Sequence, residues 1–172
     1  KAVLEHGVVL DDRMWPYDRD QQLPWILAAS PRRAEQLAQL SGKRSVPIGF
    51  GFLYARALAE KLHPTQTEGR RSGTIVFPCH STHTVTADYD HQEYARRIEG
   101  LPEAAQPASV CLYWRNYEFG HHEIYQRRGI PVFSAGHMFD RDFMLRFYDL
   151  CRRFRYAASN VFGTHFFQSV AS

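Results

Sequence analysis

The segment GTIVFPCHSTHT, residues 73–84, contains the strongest indication of the fold class. Its first half, residues 73–78, is a run of β-branched and aromatic residues closed by proline, which predicts a buried strand. Three further apolar runs follow, each separated from the next by a helical pattern. The predicted strands cover 73–78, 108–114, 130–133 and 156–159. Continuous apolar strands that alternate with single helices predict parallel pairing, with helices on both faces of a doubly wound, Rossmann-like sheet.

Capping residues mark the helices between these strands. Asp90 followed by Glu93 is a capping-box pattern. Asn116 is predicted to cap the next helix and Asp140 the one after it, and a last helix is predicted to begin near Phe162. The helix after Asp140 has the clearest amphipathic face, made of Phe143, Phe147, Leu150 and Phe154.

The elements before residue 73 are shorter, and they predict a smaller α/β segment. Strands are predicted at 25–29 and 45–48, and helices are predicted to start at Ser30 and Leu53. Ser30 supplies a capping hydroxyl, Pro31 follows at the first helical position, and Gly42 stands where a helix-ending glycine belongs.

The chain divides into three parts on this pattern. Residues 1–64 are interpreted as the end of an amino-terminal α/β segment, the polar stretch 65–72 (TQTEGRRS) as a linker, and 73–172 as the main domain. The chain starts without methionine and stops inside an apolar helical pattern. We therefore expect a fragment of a longer protein, or an incompletely resolved chain, with the main domain truncated at its carboxyl end.

The composition of the 172 residues excludes several classes of protein. Hydrophobic residues make up 44% and charged residues 23%, which is typical of a packed domain and not of a disordered chain. The net charge of +3 is too small to indicate nucleic-acid binding. Three widely spaced cysteines predict neither a disulfide framework nor a zinc site, and they favour a reducing, cytoplasmic location. No apolar run reaches the length of a membrane helix, and no signal peptide opens the chain.

Polar residues cluster where the predicted strands end. Ligands of parallel α/β sheets bind at the carboxyl ends of the strands, so these residues are the candidates for a site. Small hydroxyls, glycines and histidines suit a phosphate group, because they offer short donors and close backbone approach. The predicted phosphate-binding residues are His80, Ser81, Thr82, His83, Arg115, Ser134, Gly136, His137, Ser159, Asn160, Gly163, Thr164 and His165.

Other interpretations of these residues compete with phosphate binding. Ser, Thr and Asn also cap helices without a ligand, and a loop histidine is more often a surface or core residue. The histidine spacing matches no metal motif, so we expect no metal. Neither GxSxG, GxGxxG nor a Walker phosphate loop occurs, which disfavours serine hydrolases, Rossmann dehydrogenases and P-loop ATPases.

Three segments together resemble a known family. Glu5-His6-Gly7 resembles the His-Gly turn late in the amino-terminal domain of GT-B glycosyltransferases of the bacterial capsule and surface-polysaccharide type, and the stretch from Ser30 to Gly49 resembles the connection to their second domain. Residues 74–84 resemble the first strand and loop of their donor domain. YAASNVFGTH, residues 156–165, resembles the strand, loop and helix that meet the donor phosphates. The chain thus resembles mainly the carboxyl-terminal, donor-binding half.

The resemblance implies a metal-independent Leloir-type glycosyltransferase, with 73–172 as a nucleotide-sugar-binding domain. The partners would be a nucleotide-sugar donor, used as substrate without a further cofactor, and a glycan or lipid-linked acceptor, at the cytoplasmic side of a membrane or in the cytoplasm. His6 would be the base for the acceptor hydroxyl. The residues implied to hold the donor are His80, Ser81, His137, Ser159, Asn160, Gly163 and Thr164.

Two alternatives stay open at this point. The first is a sugar-nucleotide epimerase of the same two-domain architecture, which would convert a donor without any acceptor. The second is a non-catalytic binding module, in which the loop histidines and hydroxyls would not converge. Since most of an acceptor domain is missing from this sequence, the chain alone is expected to bind a donor without completing transfer.

Overall fold

A computed structural model describes residues 1–9, 11–62, 71–81 and 86–170. The chain forms two compact units, Lys1–Tyr54 and Ala55–Ser172, here named unit 1 and unit 2. Each unit is of the α/β type and contains a sheet of parallel strands, as the sequence predicts. The predicted linker falls mostly outside the described residues, and its position stays a prediction.

Unit 1 is a three-stranded parallel sheet with a helix packed on it. Its elements are β1 (Val3–Leu4), α1 (Pro16–Asp20), β2 (Trp25–Ala28), α2 (Pro31–Ser41), β3 (Arg44–Pro47) and the first residues of α3 (Gly51–Leu62). The strand order is β1-β2-β3, so each strand lies beside its neighbour in sequence. Ile26 in the middle strand is opposite both Val3 and Ser45. The buried core consists of Val3, Ile26, Ala28, Ala34 and Leu37.

The start and end of α2 confirm two predictions from sequence. Ser30 has extended backbone, and its hydroxyl accepts the backbone N–H of Arg33 at 3.2 Å, while Pro31 occupies the first turn. At the other end Gly42 is left-handed, with φ of 68°, and its N–H donates to the carbonyl of Ala38 at 2.9 Å. Local capping chemistry therefore fixes both ends of this helix.

A buried ion pair joins β1 to α2 inside unit 1. The guanidinium of Arg33 lies 2.5 Å from the Glu5 carboxylate, and only 7% and 3% of the two side chains is exposed. Arg33 also donates to the backbone carbonyls of Asp11 (3.2 Å) and Arg13 (2.5 Å). Arg33, which lies in α2, thus contacts Glu5 at the end of β1 and the loop that contains Asp11 and Arg13.

Unit 2 contains a four-stranded parallel sheet. Its elements are the rest of α3, β4 (Thr74–Phe77), α4 (His91–Glu99), a short 3-10 helix (Glu103–Ala105), β5 (Ala108–Cys111), α5 (Trp114–Glu118), α6 (His121–Gln126), β6 (Val132–Phe133), α7 (Phe143–Cys151), β7 (Tyr156–Ser159) and α8 (Thr164–Val170). The strand order is β6-β5-β4-β7. From β4 the chain adds β5 and β6 on one side and then crosses back to place β7 on the other, which is compatible with a Rossmann-like fold.

Helices cover both faces of the β4 strand. Val76 packs in a core cluster with Ala95 and Ile98 of α4 and with Tyr125 of α6. On the opposite face Phe77 stacks on Phe147 of α7, with ring centroids 5.3 Å apart. All four residues of β4 and all four of β5 are buried. The continuous apolar strands seen in the sequence are therefore strands buried on both faces, as predicted.

The prediction of one helix capped by Asn116 is wrong in two respects. The chain instead forms α5 and α6, because Gly120 between them is left-handed with φ of 72° and interrupts the helical hydrogen bonds. Asn116 lies inside α5, where it is buried, and does not cap a helix. Its amide nitrogen is 3.3 Å from Nδ1 of His121 and bridges the two helices.

The predicted start of α7 is displaced by two residues. Asp142, rather than Asp140, occupies the N-cap position. Asp140 forms the turn before the helix, where its carboxylate accepts the N–H of Asp142 at 3.0 Å. The helix ends at Cys151, so Phe154 of the predicted amphipathic face lies beyond it.

The cap of α4 confirms the prediction for Asp90. Its carboxylate accepts the backbone N–H groups of Gln92 at 2.7 Å and of Glu93 at 3.1 Å. Glu93 does not reach back to the cap, as a full capping box requires, but pairs with Arg96 and Arg97 on its own helix. The N–H groups of Glu93 and Gln92 lower the pKa of Asp90.

Asp90→Ala is expected to lower the melting temperature by a few degrees at neutral pH. Because the pKa of Asp90 is lower in the folded protein than in the unfolded chain, the cap stabilises above the unfolded pKa and is lost as the pH falls through the folded one. The difference between Asp90→Ala and the parent should therefore disappear in acid. Asp90→Asn keeps the acceptor and does not titrate, so its melting temperature relative to Asp90→Ala should not depend on pH. A pH-independent loss in Asp90→Ala would contradict a role for the charged cap.

No helix within the described ranges has the length and apolar character needed to cross a membrane.

Candidate functional site

The candidate site lies at the carboxyl edge of the unit 2 sheet, between β4 and β7. These two strands are neighbours, yet the chain leaves β4 toward β5 and returns from β6 to β7, so the connections diverge at this point. In open parallel sheets the strand ends next to such a reversal form a crevice that binds ligands. The loops that follow β4 and β7 are two of the four in which the sequence places candidate residues.

Side chains tie these two loops together. The amide oxygen of Asn160 accepts the backbone N–H of Cys79 at 2.7 Å. The hydroxyl of Ser159 donates to the carbonyl of Phe77 at 2.7 Å and accepts the N–H of Val161 at 3.2 Å. Ser159 and Asn160 thus connect the end of β7 to the end of β4 through hydrogen bonds. The predicted phosphate contacts of both residues stay predictions.

His165 extends this arrangement toward the edge. Its Nε2 lies 3.0 Å from the Ser159 hydroxyl oxygen, and its ring lies 5.5 Å from that of Phe77. Residue 163 must be small, because a Cβ on Gly163 would stand 2.9 Å from the His165 ring. Burial, together with the charge of the nearby His80, lowers the pKa of His165 to about 4. The ring is therefore neutral at physiological pH.

His80 lies on the β4 side of the same edge. Its ring is 4.2 Å from that of Tyr113 at the end of β5, with the planes 31° apart. Burial lowers its pKa as well. Ser81 beside it uses its hydroxyl to accept the N–H of Ala87 at 3.0 Å. Thr82 and His83 lie outside the described residues.

An aromatic row connects this edge to the loops after β5 and β6. Tyr113 contacts Trp114 at 5.6 Å, and Trp114 contacts His137 at 4.4 Å between ring centroids. The guanidinium of Arg115 lies over the rings of Trp114 and Phe119 at 5.8 and 5.6 Å. Three of the four predicted loops are therefore linked by ring contacts starting from His80.

The loop after β6 is shaped by a close approach of an arginine. Gly136 has φ of 88°, and a Cβ there would lie 2.9 Å from the guanidinium of Arg146. Arg146 donates to the carbonyl of Ala135 at 2.8 Å and pairs with Asp140 at 2.8 Å. Ser134 accepts the N–H of Gly136 at 3.1 Å. Ser134 and Gly136 thus form the turn that positions His137.

A half-buried tyrosine–histidine cluster beside the β4 loop, centred on the buried Tyr125, escaped the sequence analysis. Tyr89 donates its hydroxyl to the carbonyl of Cys79 at 3.1 Å, and Tyr125 lies 3.0 Å from Nδ1 of His91. The His91 ring is 4.0 Å from that of His121, and burial, with the charge of His121, lowers the pKa of His91 to about 4. Burial raises the pKa of Tyr125 to about 12. The tyrosine and histidine side chains of this cluster are therefore neutral at physiological pH, and Tyr89 holds the loop after β4 through its hydrogen bond to Cys79.

Tyr94 connects this support to the β7 loop. Its hydroxyl accepts the backbone N–H of Asn160, while the Asn160 side chain holds Cys79. In the sequence, Tyr94 and Tyr125 are recognisable only as residues at helical spacing. No local pattern distinguishes a tyrosine whose hydroxyl reaches a loop on another strand, because that partner is distant in sequence.

His6, the predicted base, belongs to unit 1. It lies two residues after the end of β1, and its backbone N–H donates to the buried carboxylate of Asp18 at 3.0 Å. Its exposed ring lies edge-on to Trp15 at 6.3 Å and Tyr17 at 6.5 Å between centroids. The side chain is thus accessible beside two aromatic rings, and its role as a base stays a prediction.

Metal ligands, cysteines and a cavity complete the description of the site's surroundings. Among the described residues no group of three or more His, Cys, Asp or Glu side chains is placed to hold a metal ion. Cys111 and Cys151 are buried, and burial raises the pKa of the Cys111 thiol to about 12. A cavity of about 320 Å³ near Arg71, Cys151 and Tyr156 lies by the starts of β4 and β7, at the other end of the sheet from the histidines.

Comparison with known proteins gave no relative: no family model, no curated protein and no solved structure matches the chain.

Proposed function

We propose that unit 2 binds the phosphate groups of a nucleotide-activated sugar between the ends of β4 and β7, as the donor half of a metal-independent glycosyltransferase. One observation carries this proposal. His80, Ser159, Asn160 and His165 converge at the point where the chain connections diverge, which is the preferred ligand position in such sheets. A polar cluster with no carboxylate in it suits an anion.

The remaining roles follow from the resemblance described above. His6 is proposed as the base that accepts the proton of the acceptor hydroxyl. His137, with Ser134 and Gly136 shaping its loop, is proposed to contact the donor at the far end of the aromatic row. The acceptor class is a glycan or a lipid-linked glycan of surface-polysaccharide synthesis, made at the cytoplasmic side of the membrane.

Nucleotide sugars are expected to stabilise the chain in a thermal-shift series with UDP-, GDP-, CDP- and CMP-sugars. A ligand at a hundred times its dissociation constant contributes about 2.7 kcal/mol. His80→Ala should weaken this stabilisation, whereas His122→Ala, which removes a histidine stacked on Tyr117 away from the site, should not. A folded sample that none of these ligands stabilises would rule out the proposal.

Transfer itself distinguishes His6 from the donor residues. In the longest protein that carries this chain, His6→Ala should abolish transfer and leave nucleotide affinity unchanged. Conversion of a UDP-sugar in the absence of any acceptor would identify an epimerase instead. Nucleotide binding without turnover of either kind would identify a binding module.

A further inference from the structure

The hydrogen bonds of Ser159 determine what His165 can offer a ligand. The Ser159 hydroxyl has one proton, and at 2.7 Å it is donated to the carbonyl of Phe77. Its oxygen is therefore an acceptor toward both Val161 and His165. It follows that Nε2 of His165 carries the ring proton and donates it to Ser159 at 3.0 Å.

The other ring nitrogen then has a lone pair and no proton. A neutral imidazole is protonated at one nitrogen only, so Nδ1 of His165 is an acceptor. This nitrogen faces Gly163, where a Cβ would lie 3.0 Å from it. Because residue 163 is glycine, no side chain of that residue occupies the space beside this nitrogen. In its neutral form His165 thus presents a lone pair to the edge, which repels an anion.

We propose that His165 takes up a proton from solvent when a phosphate-bearing ligand occupies the β4/β7 edge, and that the imidazolium binds the anion through Nδ1–H. The inference rests on the proposed function and deepens it. It states that the ligand is recognised by a charge that binding itself creates. His80, whose ring lies against that of Tyr113, serves as a neutral donor beside it.

The groups around the rings of His165 and His80 agree with the proposed protonation of His165. The β4 loop contributes Cys79 and His80, the end of β5 contributes Tyr113, and Tyr89 and Tyr94 hold the same loops from the α4 side. On the α7 side Phe147 packs against Phe77. Among the described residues no carboxylate offsets the burial of either ring, which keeps both neutral without a ligand. An arriving anion supplies the missing counter-charge.

The test measures binding against pH with UDP-glucose, GDP-mannose and CMP-N-acetylneuraminate. Their phosphates are esterified and do not titrate between pH 5 and 8, so any bound proton goes to the protein. Affinity should rise as the pH falls, by up to about tenfold per pH unit below the pKa of the bound His165. Calorimetry in two buffers of different ionisation enthalpy should show uptake approaching one proton per ligand in the acid range.

Two glutamine variants assign the proton to a residue. His165→Gln should bind with an affinity that does not change with pH, whereas His122→Gln should keep the slope of the parent. A slope that persists in His165→Gln, or pH-independent binding without proton uptake in the parent, would overturn the inference and leave the proposed function standing. If none of the three ligands binds at any pH, the proposed function fails and the inference fails with it. The calorimetry on the parent chain needs no variant to fold.

Discussion

Gly73→Ala is expected to destabilise unit 2 by about 4 kcal/mol, a large part of the stability of an ordinary domain. Gly73 is buried directly before β4 and has φ of 67°. A Cβ at this position would stand 2.1 Å from the carbonyl oxygen of Pro107, which is backbone and has little freedom to move. The same carbonyl accepts the N–H of Thr74 at 3.0 Å, so displacing it also breaks the first bond between β4 and β5.

Gly73 also forms hydrogen bonds to the chain at the start of β7, on the other side of β4. Its carbonyl accepts the N–H groups of Arg155 and Tyr156, both at 3.1 Å, where β7 begins. A shift of residue 73 therefore disturbs the central strand on both sides. The candidate site lies at the far end of the same strands, and we expect Gly73→Ala to weaken nucleotide binding in proportion to the fraction unfolded.

Gly129→Ala is the matched control for this variant. Gly129 lies in the same unit and has a similar φ of 72°, but its Cβ would meet nothing within 4 Å. Gly129→Ala should lower the free energy of unfolding by only about 1 kcal/mol, because it places a side chain at positive φ without any steric contact. Denaturant unfolding followed by fluorescence of Trp114, in a background with Trp15 and Trp25 replaced by phenylalanine, isolates unit 2. Equal costs for the two variants would show that contact with Pro107 contributes nothing.

Arg33→Met is expected to destabilise unit 1 by about 3–5 kcal/mol. The change leaves the Glu5 carboxylate, 3% exposed, without its counter-ion, and it removes the donors to the carbonyls of Asp11 and Arg13. An unpaired charge in the interior costs far more than the pair itself contributes, since its hydration is lost without compensation. The fluorescence of Trp15 and Trp25, with Trp114 replaced by phenylalanine, reports this unit.

Two comparisons separate the buried charge from the loss of an arginine. Arg32→Met removes the adjacent arginine, which is 84% exposed and 3.9 Å from Asp12, and should cost less than about 1 kcal/mol. The double variant Glu5→Leu with Arg33→Met removes both charges and should recover most of the loss. If the double variant is as unstable as Arg33→Met, the carbonyl contacts of Arg33, and not the charge on Glu5, provide the stability.

The site combines rigid support with uncharged groups. Asn160, Ser159 and Tyr94 fix the loops after β4 and β7 to one another, and Tyr89 adds a bond to the β4 loop. Preorganised donors of this kind reduce the entropy lost when a ligand binds. Burial keeps both His80 and His165 neutral without a ligand, so the proton uptake proposed for His165 would be measurable on anion binding.

Local structure and the class of fold can be predicted from the amino-acid pattern alone. Ser30, Gly42 and Asp90 act as predicted, because a cap requires only residues within one helical turn. The parallel pairing of β4, β5 and β7 also follows from the sequence, since their apolar runs need cover on both faces. The candidate loops were predicted because the carboxyl ends of parallel strands share one edge.

Which of those loops meet, and through which atoms, depends on how the strands are ordered in the sheet. The order that places β7 beside β4 brings Ser159 to Phe77 and Asn160 to Cys79, pairs that are about 80 residues apart in sequence. The bond from the Tyr89 hydroxyl to the β4 loop likewise joins residues that the local sequence pattern does not relate. Periodicity and capping report forces that act within a few residues, whereas hydrogen bonds between strands are selected by how the whole sheet is assembled.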